Sequence, residues 1–307
     1  MEVREQSAAG RPKGWLTGAA MFGVFAVLLP RAAACPLGWV AVLLGVLPAL
    51  FLPEFAPRGV WGYGVQLVRC LWSLEAMALT LGLCAEGLVA YNYTGWWSWC
   101  PALLMLVLGW RGSYLNERGL ERLGKLMVWL LCLMAAVLFA LTLPRAEFRW
   151  LLPRSGADWR EAGKLFLLSA AVAGGLVPAR DPRPGAAVAG VGGFATAVTT
   201  VAEGPALAGM LAYPFLTLCD AAMFEIRISS FGSAMWALSE TALLVVLLSR
   251  FPGGKWVRLL AGGVVFGLSL TLPWSKGVQL TIIITGALLG YLPALWEIVY
   301  RRFRGEN

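Results

Sequence analysis

The sequence reads GWLTGAAMFGVFAVLLP over residues 14–30 and KLFLLSAAVAGGLVP over residues 164–178. Lys13 immediately precedes the first stretch and Lys164 opens the second; glycine interrupts each, and proline ends it. Both are shorter than the roughly 20 apolar residues that a transmembrane helix needs. Short spans broken by glycine and proline at matching positions are typical of an inverted repeat, and they point to a binding site near the membrane midplane.

The rest of the chain is also apolar. Of its 307 residues, 59% are hydrophobic and 14% are charged, and the mean hydropathy is +0.72. This composition excludes an ordinary soluble domain and predicts a polytopic membrane protein. The chain has no histidine and its six cysteines form no CxxC pair, so neither a His-containing triad nor a zinc site is expected. No nucleotide-binding loop or nucleophile elbow is present, and we expect no enzyme.

Apolar runs of membrane-spanning size, separated by proline, glycine or charge, occur about ten times. They lie near residues 14–30, 36–53, 64–91, 97–110, 120–143, 164–178, 184–202, 228–249, 256–273 and 277–299. Because each half has an odd number of spans, five, the two halves cross the membrane in opposite directions. The predicted fold is therefore an all-α membrane protein with a five-plus-five inverted repeat and discontinuous first and sixth helices.

The predicted layout is one transmembrane domain over residues 1–307. Repeat one covers 14–143 and repeat two covers 164–299, with an outer loop at 144–163 between them. The tails, 1–13 and 300–307, are predicted to be cytoplasmic, because sixteen Lys and Arg residues then fall on the inner side and seven on the outer side. The basic 144–163 loop argues against this orientation.

The net charge of +8 is spread between apolar segments instead of being gathered in one polar region. This pattern favours contact with anionic membrane lipid over binding of nucleic acid. We expect lipid as a partner and no nucleic acid. The predicted location is a bacterial inner membrane, of the cell or the spore, crossed several times.

The glycines of the short spans suggest where a ligand binds. Unwinding at Gly23 and at Gly174-Gly175 would free backbone groups that cost several kcal/mol in lipid unless something binds them. A ligand carboxylate would suit the positive end of a half-helix. The alternative is that these glycines only let helices pack closely. Val24, Phe25 and Ser169 flank the predicted breaks.

Three carboxylates fall inside predicted spans, where charge is costly and usually functional. Glu75 and Glu86 are eleven residues apart, which is close to three helical turns, so they share one face of the third span. Glu75 and the central Glu240 are candidates to bind a cation, accept a proton or pair with a ligand ammonium group. The alternative is a protonated carboxyl bonded to a neighbouring helix, or a side chain that snorkels to the membrane interface, and we prefer this alternative for Glu86, which is nearer a helix end.

Several passages, in order along the chain, together resemble the endospore germination permease family, which comprises the B subunits of spore germinant receptors. They are Gly23 with Leu29-Pro30, the Gly119–Lys125 entry into the fifth span, Leu152-Pro153, Tyr213-Pro214, and Arg227-Ile228 with Phe231 and Trp236. That family is similar to permeases of the amino acid–polyamine–organocation superfamily. The chain departs from the family pattern at Ser229 and at Val172–Gly175, and it is shorter than usual.

The resemblance implies a nutrient-sensing subunit in the spore inner membrane that works with a membrane-embedded A subunit and a lipoprotein C subunit. The expected ligand is a small germinant, most simply an amino acid, in a pocket that Glu75, Trp236 and Glu240 complete. The alternative is an amino-acid permease driven by Na⁺ or H⁺. No resident cofactor is expected, and a coupling Na⁺ or H⁺ belongs to the permease alternative alone.

The orientation can be tested by labelling single cysteines. In a variant whose six native cysteines are replaced, we expect Ser7→Cys and Gly305→Cys to react with an impermeant maleimide only after the membrane is opened. A cysteine in the outer loop, at Ser155, serves as the accessible control. Labelling of the two termini from opposite sides would contradict an even number of spans.

Overall fold

Helices make up nearly all of the computed structural model of this chain. It describes residues 14–50, 59–91, 97–176, 182–211, 213–221, 229–251 and 254–271, and six single residues between 285 and 295. Within these ranges there is no β-strand. The helices are α1 Gly14–Ala33, α2 Gly38–Leu50, α3 Gly59–Tyr91, α4 Trp99–Gly112, α5 Glu117–Thr142, α6 Gly156–Leu176, α7 Pro182–Glu203, α8 Pro205–Met210, α9 Pro214–Ala221, α10 Ser229–Ser249 and α11 Lys255–Thr271.

The helices follow the apolar pattern of the sequence. Nine of the ten predicted segments coincide with α1 to α7, α10 and α11, and the tenth contains helical residues such as Thr285 and Tyr291. Among the described residues, three stretches are long and apolar enough to cross a bilayer: Tyr63–Tyr91, Arg118–Arg145 and Gly232–Ser249. The chain is an all-α membrane protein.

The predicted outer loop, 144–163, is more ordered than its sequence suggests. It contains two short 3₁₀ turns, Leu143–Arg145 and Phe148–Leu151, and the first eight residues of α6. The Asp158 carboxylate accepts hydrogen bonds from the backbone N–H groups of Arg154 and Ser155, at 2.7 and 3.0 Å. An acidic side chain in the first turn that reaches back to the preceding N–H groups stabilises a helix start, so α6 begins early.

Helix α10 lies at the centre of the bundle. Every residue from Ala242 to Leu248 is buried, and α10 packs against α1, α3 and α4. A helix that is apolar on all sides requires protein around its whole circumference. Helix α1 lies beside it and also packs against α5 and α7.

The prediction that the first and sixth helices are discontinuous is wrong. Helix α1 runs without a break through Gly23, and α6 runs through Gly174 and Gly175. A Cβ at Gly23 would lie 3.2 Å from the backbone carbonyl of Ser239, and one at Gly174 would lie 2.6 Å from the Tyr291 ring. These glycines remove side-chain bulk where a neighbour approaches, which is the packing alternative, and their backbone groups stay bonded within the helix.

The free carbonyls of this region belong to the end of α6 instead. The helix stops at Leu176, and the last carbonyls of a helix have no partner within it. Arg250, one residue beyond α10, donates from Nη1 to Gly175 O at 2.8 Å and from Nη2 to Leu176 O. Its own carbonyl accepts from Gln66 Nε2 at 3.2 Å. A cation at a helix C-terminus also interacts favourably with the helix dipole.

We expect Arg250→Met to destabilise the bundle by about 2–4 kcal/mol, since it leaves two half-buried carbonyls without a donor. Arg250→Lys should recover part of the loss, because one ammonium replaces a two-pronged guanidinium. Thermal unfolding in detergent measures the effect. Arg118→Met, at an exposed position of α5, is the matched control, and an equal melting temperature for the two Met variants would argue against the contact.

Candidate functional site

Glu240 lies midway along α10, eleven residues after Ser229 and nine before Ser249, and its side chain is 0% exposed. Its Oε1 atom is 2.7 Å from Thr80 Oγ1 on α3. Thr80 Oγ1 is also 2.8 Å from the carbonyl oxygen of Ala76. A hydroxyl has one proton, so the two contacts compete for it unless Glu240 is itself protonated and donates to Thr80.

Several polar atoms around Glu240 lack partners. Its Oε2, the hydroxyl of Ser239 and the indole N–H of Trp236 are buried and have no hydrogen-bond partner among the described residues. Each such group typically costs about 1–3 kcal/mol. Unsatisfied buried groups are rare in native structures and usually mark a site for a water molecule, an ion or a ligand.

Apart from these atoms, the described neighbours of the Glu240 carboxyl are apolar or carry sulfur. Cys84, one turn along α3 from Thr80, is fully buried, and its Sγ lies 3.8 Å from Met105 Sδ on α4. Sulfur atoms accept hydrogen bonds only weakly, so they do little to solvate a charge on Glu240. A bound cation or ammonium group would therefore have one strong partner, the Glu240 carboxylate. A protonated, neutral Glu240 side chain would pack well against these apolar and sulfur-containing groups.

Aromatic rings cover Glu240 on the side that faces the predicted outer surface. Trp236 is one helical turn away, and its ring centroid lies 5.8 Å from that of Tyr213. Tyr213 in turn meets Tyr91 edge to face at 6.1 Å, and the Tyr91 hydroxyl is 2.6 Å from Thr217 Oγ1. Burial, and to a smaller extent the nearby Glu86 carboxylate, raises the pKa of Tyr213 to about 12, so its hydroxyl stays protonated.

The gap beside these rings is too small for a ligand. It has a volume of about 10 Å³ and is lined by Leu29, Pro30, Tyr213, Trp236 and the start of α9. Ligand pockets usually measure about 300–1,000 Å³. This gap therefore has no room for an amino acid as the described residues lie.

Three of the predicted site residues come together. The backbone of Gly23 lies against that of Ser239 and Glu240, and Trp236 stands above them on α10. Val24 and Phe25 follow Gly23 in α1, but their side chains are outside the described part of the structure.

Glu75 does not share this site. It is five residues from Thr80, which is about 140° around the helix, whereas Gly82 is seven residues away on the same face as Glu75. A Cβ at Gly82 would lie 3.0 Å from the carbonyl of Ser269, so this face of α3 is turned toward α11. Glu75 is half-buried there, and Glu86 is exposed.

The predicted residues of α6 form a separate group. Ser169 is fully buried, its hydroxyl has no described partner, and its Cβ lies against Gly45 of α2. Gly174 packs on Tyr291, whose hydroxyl donates to Ala170 O at 2.9 Å. The predicted pocket therefore divides into two places, one at Glu240 and one beside α6.

Thr80 and Cys84 were not among the sequence predictions. A signal was available, because small or polar residues at i, i+4, i+8 and i+11 mark one face of a helix. On α3 these are Ala76, Thr80, Cys84 and Gly87. All four lie on the side that meets α10, where a Cβ at Gly87 would lie 2.8 Å from the Trp236 ring.

No protein-family model matches the chain, and no curated protein matches it. Within the described ranges, no group of three His, Cys, Asp or Glu residues is placed to hold a metal ion.

A second buried carboxyl lies just beyond the seventh predicted span. Both carboxyl oxygens of Glu203, the last residue of α7, are buried without a described partner, and burial raises the pKa of Glu203 from 4.5 to about 7. The adjoining loop is held close by, since Glu147 N donates to Val201 O at 2.9 Å and Trp150 stands against Gly204.

Glu203 should make stability depend on pH. The folded state favours the neutral acid, so the protein is expected to lose stability as pH rises from about 4.5 to about 7. We expect Glu203→Gln to be neutral at pH 4.5 and to stabilise by about 1–2 kcal/mol at pH 8, a figure reduced for partial exposure. Thermal unfolding at both pH values tests this, with the exposed Glu161→Gln as control. A gain that is equal at the two pH values would contradict a titrating Glu203.

Proposed function

We propose that the chain is the nutrient-sensing subunit of a spore germinant receptor, and that it binds the ammonium group of a small amino acid at Glu240. The observation that carries this proposal is the fully buried carboxyl of Glu240, whose Oε2 has no described partner. An intramembrane acid is by default a functional group, and an ammonium ion is the organic cation that fits a single carboxylate. The role as a germinant-receptor subunit is proposed from the resemblance of the sequence motifs to the endospore germination permease family.

The proposed fold is the ten-helix inverted repeat, crossing the bacterial inner membrane several times. If the first five spans correspond to the second five, each contact between helices implies a counterpart. Helix α1 packs on α7 and α6 packs on α2, while α4 packs on α10 and α11 packs on α3. The contact of α3 with α4 is likewise matched by that of α10 with α11. These pairs support a pseudo-two-fold relation without any break in the helices, although among the described residues the contact of α1 with α10 has no counterpart of similar extent between α6 and α3.

The bound state in this proposal differs from the one the sequence suggests. Because α1 and α6 are continuous, no half-helix end receives the ligand carboxylate. The ammonium group instead pairs with Glu240, after the Trp236 and Tyr213 rings separate to admit it. A ligand shifts a conformational equilibrium only by binding one state better, and the gap of about 10 Å³ means that the open state is the one it selects.

The signal would then pass through α10. Glu240 and the Gly23 contact lie on the two most central helices, so separating them for a ligand also moves α1 against α5 and α7. In this proposal the outer surfaces of those helices transmit the change to the A and C subunits.

One observation favours the permease alternative. The close contacts of Thr80 Oγ1 with Glu240 Oε1 and with the Ala76 carbonyl suit a carboxyl that gains and loses a proton, as proton-coupled transporters require. Uptake of labelled amino acid by vesicles that carry this protein alone, abolished by a protonophore, would favour that function over sensing.

We expect Glu240→Gln to weaken the germination response to amino acids roughly ten- to a hundredfold, because a hydrogen bond to a charged group is worth about 1.5–3 kcal/mol. The readout is the amino-acid concentration for half-maximal germination in spores that contain the cognate A and C subunits. Glu75→Gln is the matched control, since that carboxyl lies on another face of α3, and protein amounts in spore membranes are measured in parallel. An unchanged response with Glu240→Gln would remove Glu240 from the site.

A further inference from the structure

A groove opens on the bundle surface between the end of α4 and the start of α11. Its volume is about 510 Å³, and it is lined by Trp110, Arg111, Gly112, Tyr114, Leu115 and Lys255. It lies at the ends of helices that the basic-residue pattern assigns to the cytoplasmic side. The groove is large enough for a charged headgroup of moderate size.

The groove is electropositive. Arg111 and Lys255 are exposed and line it from opposite helices, and among the described residues that line it there is no carboxylate. Lys255 is also the first residue of the 17-residue helix α11, whose N-terminal end carries a partial positive charge. Two side chains and a helix end thus direct positive charge at one space.

A third cation supports the groove wall. Arg258 donates from Nη1 to the Ser113 carbonyl, and its guanidinium lies 5.3 Å from the centroid of the Tyr114 ring. The Nε atom of Arg258 is buried and has no acceptor among the described residues. The indole N–H of Trp110, a lining residue, is buried and unpartnered as well. Two buried donors beside the groove therefore lack an acceptor among the described residues.

The surroundings are those of a membrane–water boundary. Trp110 and Tyr114 meet edge to face at 5.5 Å, and Trp256 is 71% exposed beside Lys255. Exposed leucines, Leu104 and Leu108, continue along α4 from the groove toward the bilayer core. Tryptophan and tyrosine concentrate at the headgroup level of membranes, and exposed leucines below them suit acyl chains.

We propose that this groove binds a phosphate group, that of an anionic phospholipid headgroup in the inner leaflet. Arg111 and Lys255 contact the phosphate oxygens, and the lipid tails lie along the exposed leucines of α4. Arg258 holds Tyr114 and the Ser113 backbone in place. Basic pockets between transmembrane helices on the cytoplasmic side are suited to such headgroups.

Thermal unfolding of the purified protein in detergent, with added lipid, tests the proposal. Phosphatidylglycerol should raise the melting temperature, and phosphatidylcholine, whose headgroup is neutral overall, should not. In Arg111→Gln/Lys255→Gln the phosphatidylglycerol concentration for half the effect should rise at least about tenfold. The matched control is Arg118→Gln/Arg122→Gln, which removes two exposed charges from α5 and should keep the wild-type response.

A charge-conserving variant, Arg111→Lys/Lys255→Arg, should also respond to phosphatidylglycerol, which separates loss of the site from loss of the fold. Inorganic phosphate is added in a parallel experiment. If it reproduces the full stabilisation and the groove variant abolishes this, the occupant is free phosphate and the lipid assignment fails. Equal responses of the groove and control variants, or a wild-type protein that does not distinguish the two lipids, would overturn the proposal.

Discussion

The structure depends on the absence of water around its helices, because lipid cannot satisfy a backbone N–H or C=O group. Every such group must find its partner within a helix or on a neighbouring one. Continuity of α1 through Gly23 and of α6 through Gly174 and Gly175 follows from this requirement. Where α6 ends at Leu176, the Arg250 guanidinium supplies the donors that the helix itself lacks.

Close contact between helices follows from the same constraint. Without a strong hydrophobic force between helices in lipid, packing provides much of the attraction, and packing improves when backbones approach each other. Gly23 brings α1 against the backbone of α10, while Gly109 and Gly112 let α4 meet Leu244 and Val245. Helix α10 is consequently enclosed, and Glu240 is enclosed with it.

Charge is placed in three different ways in this bundle. Glu240 lies at the centre with one bonded oxygen and one unpartnered oxygen, and such a group can respond to a cation or a proton. Arg250 follows the last residue of α10 and supplies donors to the end of α6. Arg111 and Lys255 line an open groove on the surface, which we propose binds an anionic headgroup. The three charges therefore differ in position: Glu240 lies in the middle of a helix, Arg250 lies at a helix end, and Arg111 and Lys255 line a surface groove.

The amino-acid sequence by itself determined the helical class, nine of the segments and the central position of Glu240, because these depend on local hydropathy and on the length that a bilayer demands. The relation between Gly23 and Ser239, the turning of Glu75 away from Glu240, and the reach of Arg250 to α6 were decided only by the tertiary structure. Glycine illustrates the reason: it permits both a break and a close contact, and the sequence pattern is the same for both. Which of the two occurs depends on whether another helix lies within about 4 Å of its Cα, and that neighbour comes from a distant part of the chain.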